Sequence, residues 1–167
     1  MRMKLRLKAC LVPVVAIAMA CVGVTAALGI DMTTLVSVDA SGASGNGYSA
    51  APMISADGIY VVFESGASNL VPGDLNGTHD IFVKNRLTGV TEVASVDSSG
   101  NPCNDFSDAQ SISANGRFVA FRSAASNLVP DDTNGVTDIF VHDRWLGTTE
   151  RVSVSTAGEQ GNNECYY

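Results

Sequence analysis

The sequence repeats itself with a period of 58 residues. Aligned without a gap, residues 51–96 and 109–154 are identical at 27 of 46 positions. A repeat of this length is one supersecondary unit, which buries its apolar face by stacking on its neighbours. The chain must therefore fold as a series of similar, stacked units.

Each unit is predicted to form four short β-strands. Asp57-Gly58 and Asn115-Gly116 separate the first two strands, and such pairs are the strongest local signal for a β-hairpin. No segment after the N-terminal thirty residues keeps a 3.6-residue apolar period, so the predicted class is all-β. The predicted strands are residues 53–55, 59–64, 80–84 and 91–97, and then 111–113, 117–122, 138–142 and 149–155.

Three motifs form the skeleton that both units share. In the first unit they are Ile-Ser-Ala-Asp-Gly at 54–58, Ser-Asn-Leu-Val-Pro at 68–72 and Asp-Ile-Phe-Val at 80–83. From about Thr33 to the C-terminus, the chain resembles the repeat of TolB-like β-propellers, which are relatives of WD-repeat proteins. The resemblance implies that each unit is a four-stranded propeller blade. It also implies a scaffold or binding platform that contacts envelope proteins. Propellers host many functions, so the resemblance is more specific for the fold than for the function.

The repeat divides the chain into five segments. Residues 36–39 (Val-Ser-Val-Asp) lie 58 residues before a similar run in the first unit, so we expect a stray strand at Thr34–Asp39. The predicted segments are a signal peptide (1–26), the stray strand with a Ser/Gly linker (27–50), blade one with its linking loop (51–108), blade two (109–155) and a truncated linking loop (156–167).

Two blades are too few to close a ring, because propellers typically have about four to eight. We expect this incomplete propeller to be a fragment of a longer one. Two alternatives stay open. Several copies could assemble into one ring, or the two blades could stand as a stack with exposed strand edges, which is an aggregation hazard.

The N-terminal segment has the pattern of an export signal. Residues 2–8 are basic, and residues 9–28 are almost wholly apolar or small. We expect cleavage after Ala26, with lipidation at Cys21 or retention as a membrane anchor as the alternatives. The predicted location is therefore periplasmic, cell-surface or extracellular.

The exported part of the chain is acidic. From Asp31 onward there are 6 Lys and Arg against 17 Asp and Glu. Nucleic acids and anionic membranes bind through cationic patches, so neither is an expected partner of this part. A protein or carbohydrate partner, or self-assembly into a ring, is compatible with this composition.

Two cysteines, Cys103 and Cys165, remain after the signal. Both fall in the linking loops of successive units. Disulfides persist in the oxidising compartments to which exported proteins are sent. We expect one disulfide between them, and the alternative is two free thiols.

A calcium site is the most specific chemistry that the sequence suggests. Calcium takes six to eight oxygen ligands, and acidic and amide side chains at positions one, three and seven of a tight loop can converge on one cation. The alternative is a turn, because Asn-Gly and Asp favour turns without any metal. The candidate ligands are Asp74, Asn76 and Asp80, and their counterparts Asp132, Asn134 and Asp138.

The sequence identifies no catalytic residue. A Gly-x-Ser-x-Gly motif is absent, and His79 and His142 occupy non-equivalent repeat positions, which predicts that both face solvent. Asp105 and Asp108 are expected to be solvated, and Trp145 is expected to pack on an outer turn or to contact a partner. A non-catalytic binding module is therefore favoured, and the competing class is a propeller hydrolase whose catalytic residues lie outside this chain.

We predict that calcium stabilises the protein, because a bound ligand stabilises the folded state. The melting temperature of the chain should be higher in millimolar calcium than in EDTA. Equal melting temperatures in the two buffers would reject calcium binding.

Overall fold

The computed structural model describes residues 33–74, 76–163 and 165, and the predicted signal peptide with Cys21 lies outside them. The predicted all-β class is confirmed: these residues form two four-stranded antiparallel sheets. Within this part of the chain, no helix is long and apolar enough to span a membrane. Sheet one comprises β1 (Ser49–Ile54), β2 (Tyr60–Ser65), β3 (Asp80–Asn85) and β4 (Thr91–Val93), and sheet two comprises β5 (Ser107–Ile112), β6 (Phe118–Ser123), β7 (Asp138–Asp143) and β8 (Thr148–Arg151).

The strands follow one another in chain order within each sheet, and the register repeats between sheets. Ser65 pairs with Asp80 in sheet one, and Ser123 pairs with Asp138 in sheet two. Equivalent residues, 58 positions apart, therefore occupy equivalent places.

The first strand of each sheet begins earlier than predicted. The predicted strands at 53–55 and 111–113 are in fact Ser49–Ile54 and Ser107–Ile112. A bulge interrupts each one, with Ala51 at φ 47° and Ala109 at φ 53°. Each bulge sets two residues of the first strand against one of the second, so that pairing resumes with the register shifted by one residue.

The predicted stray strand at Thr34–Asp39 is wrong, because this segment forms a loop. Val38 makes one isolated bridge, to Ser44, and the same bridge recurs 58 and 116 residues later. The Asp39 carboxylate accepts hydrogen bonds from the amides of Ser41 (2.8 Å) and Ala43 (2.9 Å). An acidic side chain that caps local amides in this way favours a turn over an extended strand.

The fourth strands are also shorter than predicted, for the same reason. They end at Val93 and Arg151 instead of continuing to residues 97 and 155. The chain then enters the linking loop (residues 94–106), which repeats the same turn: Asp97 accepts from the amides of Ser99 (2.8 Å) and Asn101 (2.9 Å).

An apolar core joins the two sheets. β5 lies across β1, β2 and β3, so that one face of sheet one packs against the opposite face of sheet two. The rings of Phe121 and Phe140 stack at 5.9 Å between centroids. The fully buried members of this core include Val62, Ile81 and Val83 of sheet one and Val119, Phe121 and Phe140 of sheet two.

Polar contacts fix the sheets at the rim of this core. The Arg144 guanidinium contacts the Glu92 carboxylate, donates to the carbonyl of Gly116 and lies 4.4 Å from the centroid of the Tyr60 ring. An arginine that pairs with a carboxylate and stacks on a ring has a defined orientation. Arg144 therefore sets how the second unit docks on the first.

We predict that Gly116→Ala destabilises the protein more than Gly58→Ala. The two glycines are equivalent, with φ of +71° and +70°, so both variants lose about 1 kcal/mol to backbone strain. A Cβ at Gly116 would also collide with the Tyr60 ring, whereas a Cβ at Gly58 has 3.8 Å to its nearest neighbour, on Arg86. We expect a total loss of about 2–4 kcal/mol for Gly116→Ala, measured by denaturant unfolding. Equal losses for both variants would contradict this packing.

Candidate functional site

The predicted calcium ligands come together where the third strand of each sheet begins. In the first unit, Asn76 Nδ2 donates to Asp80 Oδ2 (2.7 Å) and to the Cys103 carbonyl (3.0 Å). Asn76 Oδ1 accepts from the Thr78 amide at 3.1 Å, which forms an Asx-turn. The turn that the sequence offered as the alternative to calcium is therefore present.

Asp80 is the centre of a buried hydrogen-bond network. Its Oδ1 accepts from Ser95 Oγ (2.7 Å) and from the Cys103 thiol (2.9 Å), and Ser95 Oγ in turn accepts from the Ile81 amide (3.1 Å). The Asp80 residue is 1% exposed. A carboxylate so deeply buried needs these donors to offset its lost hydration. Asp80 thus ties the third strand to the linking loop.

The same network is built around Asp138 in the second unit. Asn134 Nδ2 donates to Asp138 Oδ2 (2.7 Å) and to the Gly161 carbonyl (3.1 Å), and Ser153 Oγ donates to Asp138 Oδ1 (2.5 Å). The network is therefore a feature of the repeat itself.

The units differ in the cation beside this network. Arg151 Nη1 donates to Asp132 Oδ1 (2.8 Å), Asp138 Oδ2 (3.3 Å) and Gln160 Oε1 (3.3 Å). The side chains of Arg151 and Asp132 are 9% and 5% exposed, so this is a buried ion pair. In the first unit Val93 stands where the second has Arg151, so the equivalent carboxylate, Asp74, has no arginine beside it.

The absence of an arginine leaves the carboxyl group of Asp74 without a neighbouring cation among the described residues. The residue is 6% exposed, and burial, together with the nearby charge of Asp80, raises the pKa of its carboxyl to about 6. Burial also raises the pKa of Asp132, but the Arg151 guanidinium opposes that shift.

A cavity of about 260 Å³ opens beside Asp74. Asp80 shares its lining, and the remaining walls are mostly apolar. Val93, Val96 and Pro102 contribute those walls. A pocket that combines carboxylates with apolar walls suits a ligand with a cationic end and an apolar stem.

Calcium binding at these loops stays a prediction. Asn134 Oδ1 accepts from the Val136 amide at 3.3 Å, as Asn76 Oδ1 does from Thr78, so both amide oxygens already have donors. Among the described residues, no group of three or more His, Cys, Asp or Glu side chains is arranged to hold a metal ion. In the second unit Arg151 already supplies a positive charge to the carboxylates.

The two cysteines are free in the structure, which does not join them. Cys103 is buried, and burial followed by the charge of Asp80 raises the pKa of its thiol to about 12. The Cys165 amide donates to the Thr137 carbonyl (3.3 Å), as the Ser107 amide does to His79 (2.8 Å). Cys165 is thus the counterpart of Ser107, and Gly161 is the counterpart of Cys103 in the Asp138 network.

The prediction for the histidines is half right. His79 is exposed and stacks near Tyr48, with the ring centroids 6.1 Å apart. His142 is buried, contrary to expectation, and its Nδ1 lies 2.9 Å from Thr149 Oγ1. Burial lowers the pKa of His142. Its counterpart Lys84 is buried as well, and its Nζ donates to the Val38 carbonyl (3.3 Å), so this position is buried in both units.

The remaining sequence candidates lie on the surface or in ion pairs. Asp108 accepts two hydrogen bonds from Arg122 (2.8 and 2.6 Å), so it is not the solvated member of a pair with Asp105. Trp145 is 62% exposed, and the Arg117 guanidinium lies 5.1 Å from its ring centroid. Trp145 therefore does not pack into the body of the protein.

The exchange of Val93 for Arg151 was not among the predicted features of the site. The signal was visible, because aligning the two units places an aliphatic residue against a cation in the fourth strand. The sequence alone does not show that this position lies next to the carboxylates, which only the structure brings together.

Comparison with known proteins does not add a family. A scan against protein-family models found no match, and no curated protein matches the chain either.

We predict that Asp74→Asn stabilises the protein at neutral pH. A carboxyl whose pKa is higher in the folded than in the unfolded state favours folding when protonated, and that stability is lost as pH rises from about 4 to 6. Asparagine cannot ionise, so at about pH 7.5 the variant should be more stable by about 1–3 kcal/mol. The gain should vanish near pH 4, measured by denaturant unfolding.

Asp132→Asn is the matched control for this prediction. It removes a partner of Arg151 and should destabilise the protein at neutral pH. A loss of stability in Asp74→Asn equal to that in the control would contradict the uncompensated charge at Asp74.

Proposed function

We propose that this protein is an exported, TolB-like β-propeller interaction module, and that its two sheets are successive blades. The proposal is supported by the way one unit covers the next. The module works by binding a further unit of the same kind on the open face of sheet two.

That face is apolar and only partly covered. Its counterparts in sheet one lie beneath sheet two, where Val62, Ile81, Val83 and Ala94 are each 0% exposed. Val152, the equivalent of Ala94, is 44% exposed. The remaining members, which are partly exposed, are Ala120, Ile139 and Val141.

The opposite end of the stack carries the matching surface. Ile112 of β5 packs into the core between the sheets, and its equivalent Ile54 of β1 is 56% exposed. Met53, beside it, is 47% exposed. Since β5 is the strand that crosses sheet one, β1 is the strand expected to cross the open face of another unit.

These two surfaces fit head to tail. A second copy could place its β1 on sheet two of the first and repeat the interface that already exists within the chain. A head-to-tail contact forms a ring if its rotation closes and a filament if it does not. The resemblance to TolB-like propellers favours a ring of about four to eight blades.

We predict that the full chain self-associates through these two surfaces. Lysine at Val141 or at Ile54 should reduce the assembly, because a buried charge without a partner is costly. Sedimentation velocity should show an oligomer for the wild type and smaller species for each variant.

A mixture of Val141→Lys with Ile54→Lys distinguishes the head-to-tail arrangement. Each variant keeps one intact surface, so the mixture should form a dimer that neither forms alone. Leu87→Lys, on a turn at 77% exposure, is the control and should assemble like the wild type. A wild type that stays monomeric at its highest soluble concentration would contradict the proposed association.

A further inference from the structure

The cavity beside Asp74 is related by the repeat to a place that holds an arginine. We propose that this cavity binds the guanidinium group of an arginine side chain presented by a partner protein. The residues that line the cavity belong to the first unit and the loop that follows it, and none of them belongs to the open face of sheet two.

The second unit supplies the template for this binding. Its equivalent carboxylates, Asp132 and Asp138, accept from Arg151 Nη1 at 2.8 and 3.3 Å. The first unit keeps both carboxylates, as Asp74 and Asp80, and replaces the arginine by Val93. A valine side chain has no charge or donor to pair with either carboxylate. The cavity of about 260 Å³ lies beside it.

Asp74 is the group that points to a ligand. It is 6% exposed, lines the cavity and makes no hydrogen bond within the described part of the chain. A buried carboxylate without a donor is costly. The incoming guanidinium would supply the donors that Arg151 supplies to Asp132.

The walls of the cavity suit an arginine stem. Val93, Val96 and Pro102 line it, and the methylene groups of arginine pack well on apolar surface while the charged end pairs with a carboxylate. A planar guanidinium donates two parallel hydrogen bonds to one carboxylate, which an ammonium group cannot do.

The free oxygens fit a guanidinium better than calcium. Asp80 Oδ1 already accepts from Ser95 and Cys103, and its Oδ2 accepts from Asn76. Asp74 therefore supplies most of the remaining acceptor capacity, whereas calcium takes six to eight oxygens.

The arginines in the described part of the chain are engaged elsewhere. Each donates to a carboxylate or a carbonyl at its own position, away from the cavity. Their partners are Gly58 for Arg86, Asp143 for Arg117, Asp108 for Arg122, Glu92 for Arg144 and Asp132 for Arg151. Arg2 and Arg6 belong to the predicted signal peptide, outside the described residues, and we assign the ligand to another molecule.

The test is a calorimetric titration of the full chain with N-acetyl-arginine amide. We expect one site per chain, and affinity should fall at least about tenfold in Asp74→Asn, because a charge-assisted pair is lost. N-acetyl-citrulline amide has the same shape without the charge and should not bind measurably. N-acetyl-lysine amide should bind more weakly than the arginine probe.

Val93→Arg tests the site from within. It restores the residue of the second unit, so the new side chain should occupy the cavity and abolish binding of the probe. Leu87→Arg adds the same charge on an exposed turn and should leave binding intact. The reverse change, Arg151→Val, should raise the stoichiometry from one site to two in a chain whose circular dichroism shows it folded. If Arg151→Val does not fold, the loss of probe binding in Val93→Arg is the result that tests the site.

Three results would overturn the proposal. The arginine probe could fail to bind the wild type, bind Asp74→Asn or Val93→Arg as tightly as the wild type, or bind no better than the citrulline or lysine probe. Binding of calcium that depends on Asp74, without binding of the arginine probe, would likewise assign the site to a metal.

Discussion

Sheet one is apolar on both faces, and the rest of the structure depends on how those faces are covered. Val62 points to one side and Val61 and Phe63 to the other, and all three are buried. A sheet of this kind cannot leave either face in water without losing the burial of several large side chains. Sheet two covers the Val62 face, whereas Ala67, Leu70 and Val71 of the loop after β2, together with Val36, cover the other face.

The buried carboxylates at Asp80 and Asp138 are the second requirement. They hold the end of the fourth strand and the linking loop against the third strand, through donors that come from distant parts of the unit. Buried charge is tolerated only when such partners are complete. The carboxylates beside them differ between the units, because Asp132 pairs with Arg151 whereas Asp74 borders an open cavity.

The repeat allowed most of the fold to be predicted, because a hairpin signal and two apolar strands recur at the same places in both units. The early start of β1 was not predictable, since Ala51 at a positive φ leaves no mark in the sequence. Val-Ser-Val-Asp at 36–39 has the composition of a strand, but its aspartate caps a loop. The exchange of Lys84 for His142 suggested a surface position, although both side chains lie buried under the linking loop. The acceptors of the candidate calcium site were visible in the sequence, but donors as remote as Ser95 and Cys103 were not.

The linking loop recurs in the described chain with its bridge at Val38, Val96 and Val154. Its turn is closed by its own side chains, so the joint between units keeps its shape whichever sheet follows. Inserting or deleting a multiple of 58 residues between two such joints adds or removes whole units and leaves every remaining sheet complete. The number of units can therefore differ without any change in the structure of a unit or of the joint that follows it.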